Sequence, residues 1–163
     1  MYRGNVYSFE LNPLFCSQVG KSDMVLVCVL NTGDLKDRVE QFSDEPITGV
    51  QMCTMHGLKP DRTPFKTNLL WSRADTAFHN GHTAINGAHY TLNMNTFEGM
   101  CMSPILVESQ RRSIVGFHIG GVAGTGRGCG MEILKSDLIQ ARIKLQQLNK
   151  ITSFGPQAAP LPP

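Results

Sequence analysis

The apolar positions of this chain fall into short runs separated by turn-forming residues, and only one segment repeats with helical spacing. Over residues 136–149, Ser136 is placed to cap and Asp137 stands in the first turn. Leu138, Ile139, Ile143 and Leu145, with Arg142, form a stripe edged by charge, which predicts an α-helix. Elsewhere the pattern is strand-like. Residues 23–30 are compact, rich in β-branched side chains and bounded by Lys21-Ser22 and Asn31-Thr-Gly33, which predicts a strand buried on both faces. Residues 34–42 fit one or two helical turns. Further strands are expected at 47–55, 65–71, 89–94, 105–108 and 113–119, with turns at Asp44-Glu-Pro46, Lys59-Pro-Asp61, Asn80-Gly81 and Asn86-Gly87. Short strands with glycine-rich turns imply an all-β barrel or sandwich.

Composition narrows the classes. With 163 residues, 41% hydrophobic and 17% charged, the chain has the length of one ordinary domain and enough apolar material for a core. The longest apolar run covers residues 24–30, far too short to span a bilayer, so no membrane segment is expected. No charged-then-apolar leader is present, and a net charge of +2 gives no argument for nucleic acid. Five cysteines, at 16, 28, 53, 101 and 129, are odd in number and scattered. They fit a reducing compartment with a thiol available for chemistry better than a disulfide framework. Residues 155–163, Gly-Pro-Gln-Ala-Ala-Pro-Leu-Pro-Pro, read as an extended tail or linker.

Chemistry concentrates in Thr96-Phe-Glu-Gly-Met-Cys-Met-Ser-Pro104, followed by Val115-Gly-Phe-His-Ile-Gly-Gly121. A cysteine two residues after a glycine and just before Ser-Pro suits a nucleophile on a tight turn. The glycine lets the backbone bend so that N–H groups converge on one point, where they can hold the oxyanion of a tetrahedral intermediate. The turn alone also fits a buried structural cysteine. The second motif favours the nucleophile.

Thr96-x-x-Gly99-x-Cys101 with Gly116-Phe-His-Ile-Gly-Gly121 resembles the carboxy-terminal barrel of the 3C-type cysteine proteases of picornaviruses and their insect-virus relatives. Residues 22–30 with Leu35-Lys-Asp-Arg-Val39 are similar to that family's acid-bearing strand and the turn that follows it. Asp23 and Cys101 stand 78 residues apart, a separation typical of the family's acid and nucleophile. The resemblance runs from about Asp23 to Leu138. It implies a chymotrypsin-like double β-barrel with residues 1–45 the remnant of the first barrel and 46–135 the second. The helix at 136–149 and a linker at 150–163 follow.

The implied activity is a viral polyprotein-processing cysteine endopeptidase that cleaves after glutamine in the host cell cytoplasm, with no cofactor and no metal. Cys101 is then the nucleophile, Asp23 the orienting acid, and the N–H groups of Gly99, Met100 and Cys101 the oxyanion hole. Asp23 also fits a plain turn residue, and His118 a core histidine on a glycine-flanked strand. Thr96, His118, Gly120 and Gly121 line the substrate pocket, where a neutral His118 imidazole donates to a glutamine side-chain carbonyl. His118 follows the nucleophile along the chain, whereas the base of a chymotrypsin-like triad precedes the acid. The first histidine here is His56, and His79, His82 and His89 read as surface or structural. The resemblance therefore implies a base encoded upstream of Met1, and a fragment that does not turn over alone. Met102 departs from the glycine the family places after its cysteine.

Three lesser readings complete the picture. Cys53-Thr-Met-His56 has metal-like spacing but lacks partners for a four-ligand zinc site. Lys36 and Arg38 match a turn that contacts viral RNA in relatives, although Asp34 and Asp37 beside them favour a solvated turn. Gln157-Ala158 fits a processing site joining the chain to a downstream replicase domain. Two rivals stand beside the protease reading: a non-catalytic RNA- or protein-binding relative, and an unrelated hydrolase using Cys101 and His118 as a dyad.

Overall fold

The computed structural model describes residues 13–29, 36–79, 82–108 and 113–149. The Asn80-Gly81 turn, the tail with Gln157-Ala158 and the end of the predicted 23–30 strand lie outside them. Of His79 and His82 only the strand backbone is described.

Six strands close into an antiparallel barrel: β3 (Val50–Leu58), β4 (Pro64–His79), β5 (His82–Thr91), β6 (Pro104–Val107), β7 (Ser113–Gly121) and β8 (Arg127–Glu132), in the order β3-β4-β5-β8-β7-β6. Two further strands, β1 (Cys16–Gln18) and β2 (Val25–Val27), pair as a separate hairpin. One helix, α1 (Lys135–Asn149), follows the barrel. The mostly-β reading holds. Among the described residues no helix is long and apolar enough to cross a membrane.

Alternation builds the barrel core. Phe65, Thr67, Leu69 and Trp71 on β4 are buried, while Lys66, Asn68, Leu70 and Ser72 face outward. Trp71 is fully enclosed and stacks on Tyr90, with ring centroids 6.4 Å apart. Cys53, Met55, Ala88, Leu92, Met100, Ile105 and Val115 complete this cluster. A second cluster lies outside the barrel, where Val19, Ile133 and Ala141 pack with Leu26, Phe42, Phe117 and Leu138 under the helix. Lys135 reaches Glu40 at 3.0 Å and Arg142 reaches Asp37 at 3.0 Å, tying the helix to the 3₁₀ turn Val39–Gln41.

The strand expected at 65–71 runs longer, as β4, the one expected at 89–94 lies earlier, as β5, and β1 was not expected; three further differences have a physical reason. Strand β8 is unexpected, because Arg-Gly-Cys-Gly-Met-Glu carries glycine at alternate positions. The aromatic core explains the pattern: a Cβ on Gly128 would meet the Tyr90 ring at 2.5 Å, and one on Gly130 would meet the Trp71 ring at 3.0 Å. Asn86-Gly87 is not a turn. Asn86 takes a left-handed φ of 57° inside β5, where its side-chain carbonyl accepts from Arg73 at 3.3 Å. The predicted strand over 23–30 shrinks to Val25–Val27, and Val25 is exposed; the only described strand that pairs with it is the three-residue β1.

Candidate active site

The loop carrying Cys101 is shaped from below by one buried side chain and from within by two left-handed residues. Gly99 has φ +94° and Met102 φ +70°, which turn the chain sharply on either side of Met100 and Cys101. Met100 is buried in the barrel core and anchors the loop. Ser103 donates its hydroxyl to the Met100 carbonyl at 2.6 Å. Two backbone bonds then fasten the loop to β7: Met102 N–H to the His118 carbonyl at 2.8 Å, and His118 N–H to the Ser103 carbonyl at 3.0 Å. Cys101 is left exposed, its thiol directed at the Ile119 carbonyl 3.4 Å away.

His118 points the other way, into the barrel. Its side chain is only 2% exposed, and its Nδ1 lies 2.7 Å from the Tyr90 hydroxyl, itself buried. Burial pushes the Tyr90 phenol well above its ordinary value, with the neighbouring Cys129 and Cys101 sulfurs adding to it. Tyr90 therefore stays protonated and can donate to Nδ1, which leaves the proton of a neutral imidazole on Nε2. Sequence reading passed over Tyr90. The available clue was its inward position on a strand: a buried tyrosine needs a hydroxyl partner, and so does a buried histidine.

Thr96 belongs to the same neighbourhood. Its hydroxyl donates to the Val122 carbonyl at 2.8 Å, so the oxygen keeps lone pairs for an incoming donor. Gly121 sits against it: an added Cβ would lie 3.1 Å from the Thr96 methyl and 2.4 Å from the Arg127 carbonyl. Gly120 is buried opposite Cys129, at a register shift between β7 and β8. The close approach that Gly121 permits is thus to the chain's own β8 and Thr96 loop.

Of the three amides expected to converge, Met100 N–H already donates to the Phe97 carbonyl at 3.2 Å. Among the described residues no carbonyl accepts from the amides of Gly99 and Cys101. Asp23 is exposed and lies in the turn between β1 and β2 rather than in a strand. That turn is closed by Val19 N–H to the Met24 carbonyl at 2.9 Å and by the Ser22 hydroxyl to the Val19 carbonyl at 2.6 Å. Asp23 and Met102 line one cleft.

The remaining candidates separate from this cluster. His56 Nε2 faces Glu108 at 3.6 Å on the outside of β3, and His89 is exposed on β5. Burial pushes the Cys53 thiol up to about 12 and also raises those of Cys28 and Cys129. Among the described residues no group of three or more His, Cys, Asp or Glu is placed to hold a metal.

No family model matches the chain, and no curated protein does. Among solved structures it is similar to that of the HRV-C 3C protein with rupintrivir, at 14% identity and a TM-score of 0.47, over 65% of this chain and 56% of that one. The chain thus spans little more than half the length of that protein. Its own architecture is a closed six-stranded antiparallel barrel, a separate two-stranded sheet and a carboxy-terminal helix.

Proposed function

We propose that this chain is the nucleophile and specificity half of a viral-type, polyprotein-processing cysteine endopeptidase that cleaves after glutamine. The observation that carries the reading is the buried Tyr90–His118 bond beneath an exposed cysteine loop. With the Tyr90 hydroxyl donating to Nδ1, the imidazole presents its donor on Nε2, which suits recognition of an uncharged amide rather than proton transfer at sulfur. His118 Nε2–H donates to the glutamine carbonyl oxygen, and the Thr96 oxygen accepts from the glutamine NH₂. A substrate without the amide leaves both groups unmatched and is rejected.

In the reaction the Cys101 thiolate attacks the scissile carbonyl carbon, and the oxyanion is held by the Gly99 and Cys101 amides. The C–N bond breaks, the amine leaves with a proton from the general acid, and water hydrolyses the thioester. The acid and base is a histidine carried by a segment that seats beside Asp23, the turn carboxylate orienting its ring. Without that segment the chain binds and does not turn over. Peptides are the partners this reading implies, with Gln157-Ala158 a candidate junction.

A peptide ending in a glutamine aldehyde tests it. The aldehyde is expected to add to Cys101 and to react much more weakly when the glutamine is replaced by asparagine. His118→Ala should erase that preference while iodoacetamide still alkylates Cys101. Loss of alkylation as well would favour the Cys101–His118 dyad. No adduct with any peptide would favour a binding module.

A further inference from the structure

We propose that the cleft between the β1–β2 hairpin and the barrel is the subsite for the residue that follows the scissile bond, walled by Met102 and selective for a large apolar side chain. This rests on the reading of Cys101 as the nucleophile.

The cleft encloses about 560 Å³. Its floor is apolar, made by Val19, Met24, Leu26, Phe42, Phe117 and Leu138 above the outer core cluster. Charge is confined to Asp23, Asp37, Arg38 and Arg142, of which Asp37 and Arg142 pair at 3.0 Å.

Continuity with the nucleophile selects the occupant. Met102 directly follows Cys101, is 56% exposed and lines the cleft. Its direction is set by the left-handed backbone and by the bond from its N–H to the His118 carbonyl. On β7 the neighbours Phe117 and His118 point to opposite faces: the His118 ring into the barrel, and the Phe117 ring outward to the cleft, 5.9 Å from Phe42. An extended peptide also alternates its side chains. With glutamine directed at His118, the next side chain is directed across Cys101 towards Phe117 and Met102. A leucine there leaves water for an apolar floor, whereas an aspartate meets that floor and the Asp23 carboxylate. Alanine covers little of that floor, so the Gln157-Ala158 pair would on this ground be a weak junction.

The test uses blocked peptides with the chain as it stands, reading protection of Cys101 from iodoacetamide and the NMR shift of the Met102 methyl. Gln-Leu is expected to bind at least about tenfold more tightly than Gln-Asp and to move the Met102 methyl. Val25→Asp, at an exposed position on the cleft wall, should abolish that difference without touching the fold. Equal binding of Gln-Leu, Gln-Ala and Gln-Asp would overturn the proposal. An Asn-Leu peptide keeps the two readings apart. If Gln-Leu beats Asn-Leu while leaving-side identity has no effect, the subsite alone falls. If leaving-side identity matters and glutamine does not, the subsite stands and the glutamine pocket falls.

Discussion

The barrel and the β1–β2 hairpin are both antiparallel, yet they are held on different terms. The barrel closes on itself, so its ladder leaves no open edge and Trp71, Met55 and Ile105 are sealed inside. The hairpin has three residues per strand, too few to stand alone, and depends on contacts with the helix and the outer cluster. Chemistry is divided along the same line. Cys101, Thr96, His118 and Tyr90 ride on the closed element, whereas Asp23 rides on the marginal one. On the proposed reading, recognition belongs to the closed half, and the half that would orient a base has little stability of its own.

The sharpest way to break this contrast is to truncate one core residue in each half. Trp71→Ala is expected to cost about 3–5 kcal/mol, since it empties the centre of a closed core. The half-buried Leu26→Ala should cost clearly less, because its site can relax. Urea denaturation of both variants checks this, and equal losses would mean that hairpin and barrel unfold as one equally packed unit.

Next in size is Tyr90→Phe, which keeps the ring and removes the donor to His118. Losing the bond to a buried imidazole should cost about 1–3 kcal/mol. Nitrogen NMR of His118 would show the tautomer losing its definition in the same variant. An unchanged spectrum would remove Tyr90 from the recognition argument.

Smaller again is Met102→Gly. A side chain held at φ +70° is strained, and glycine adopts that region freely, so stabilisation of about 1 kcal/mol is expected despite glycine's greater freedom when unfolded. Thermal denaturation reads it.

The smallest effect is a divergence with pH. The Val39 amide and Arg142 hold the Asp37 carboxyl below its ordinary value. Its contribution is present above the unfolded value near 3.8 and is lost as pH falls through the folded one. Burial raises Glu132 on β8, partly offset by Arg73, so its contribution is present below the unfolded value near 4.5 and is lost as pH rises through the folded one. Acidification below pH 3.8 should therefore loosen the helix–turn contact while sparing the barrel, as hydrogen exchange in the two regions would show. Asp37→Asn should flatten the first dependence and Glu132→Gln the second.

Much of the barrel was legible because its strands alternate and its turns carry proline, aspartate and glycine. Residues 105–108 and 113–119 lie close to the observed β6 and β7 for that reason. Strand β8 was not, since a strand whose inner face is occupied by rings from its neighbours writes itself as glycine, which local reading takes for a loop. Asn86-Gly87 misled in the converse way: a turn dipeptide was absorbed into a ladder held by Arg73. Within the site, the bent cysteine loop was readable from Gly99 and Ser103, whereas Tyr90 offered only its inward position on a strand, because a hydrogen bond across 28 residues does not show which partner it takes. Nor could spacing show that the Met100 amide is used within its own loop.

The missing side chain at Gly128 carries a consequence beyond packing. Its vacancy is what admits the Tyr90 ring, and its absent Cβ would stand 3.1 Å from His118 Cε1 as well. A single methyl added on a neighbouring strand would therefore press on both rings before either ring residue changed. If His118 reads the substrate as proposed, Gly128 is a silent determinant of selectivity, and altering it would require rewriting glycine, phenol and imidazole together.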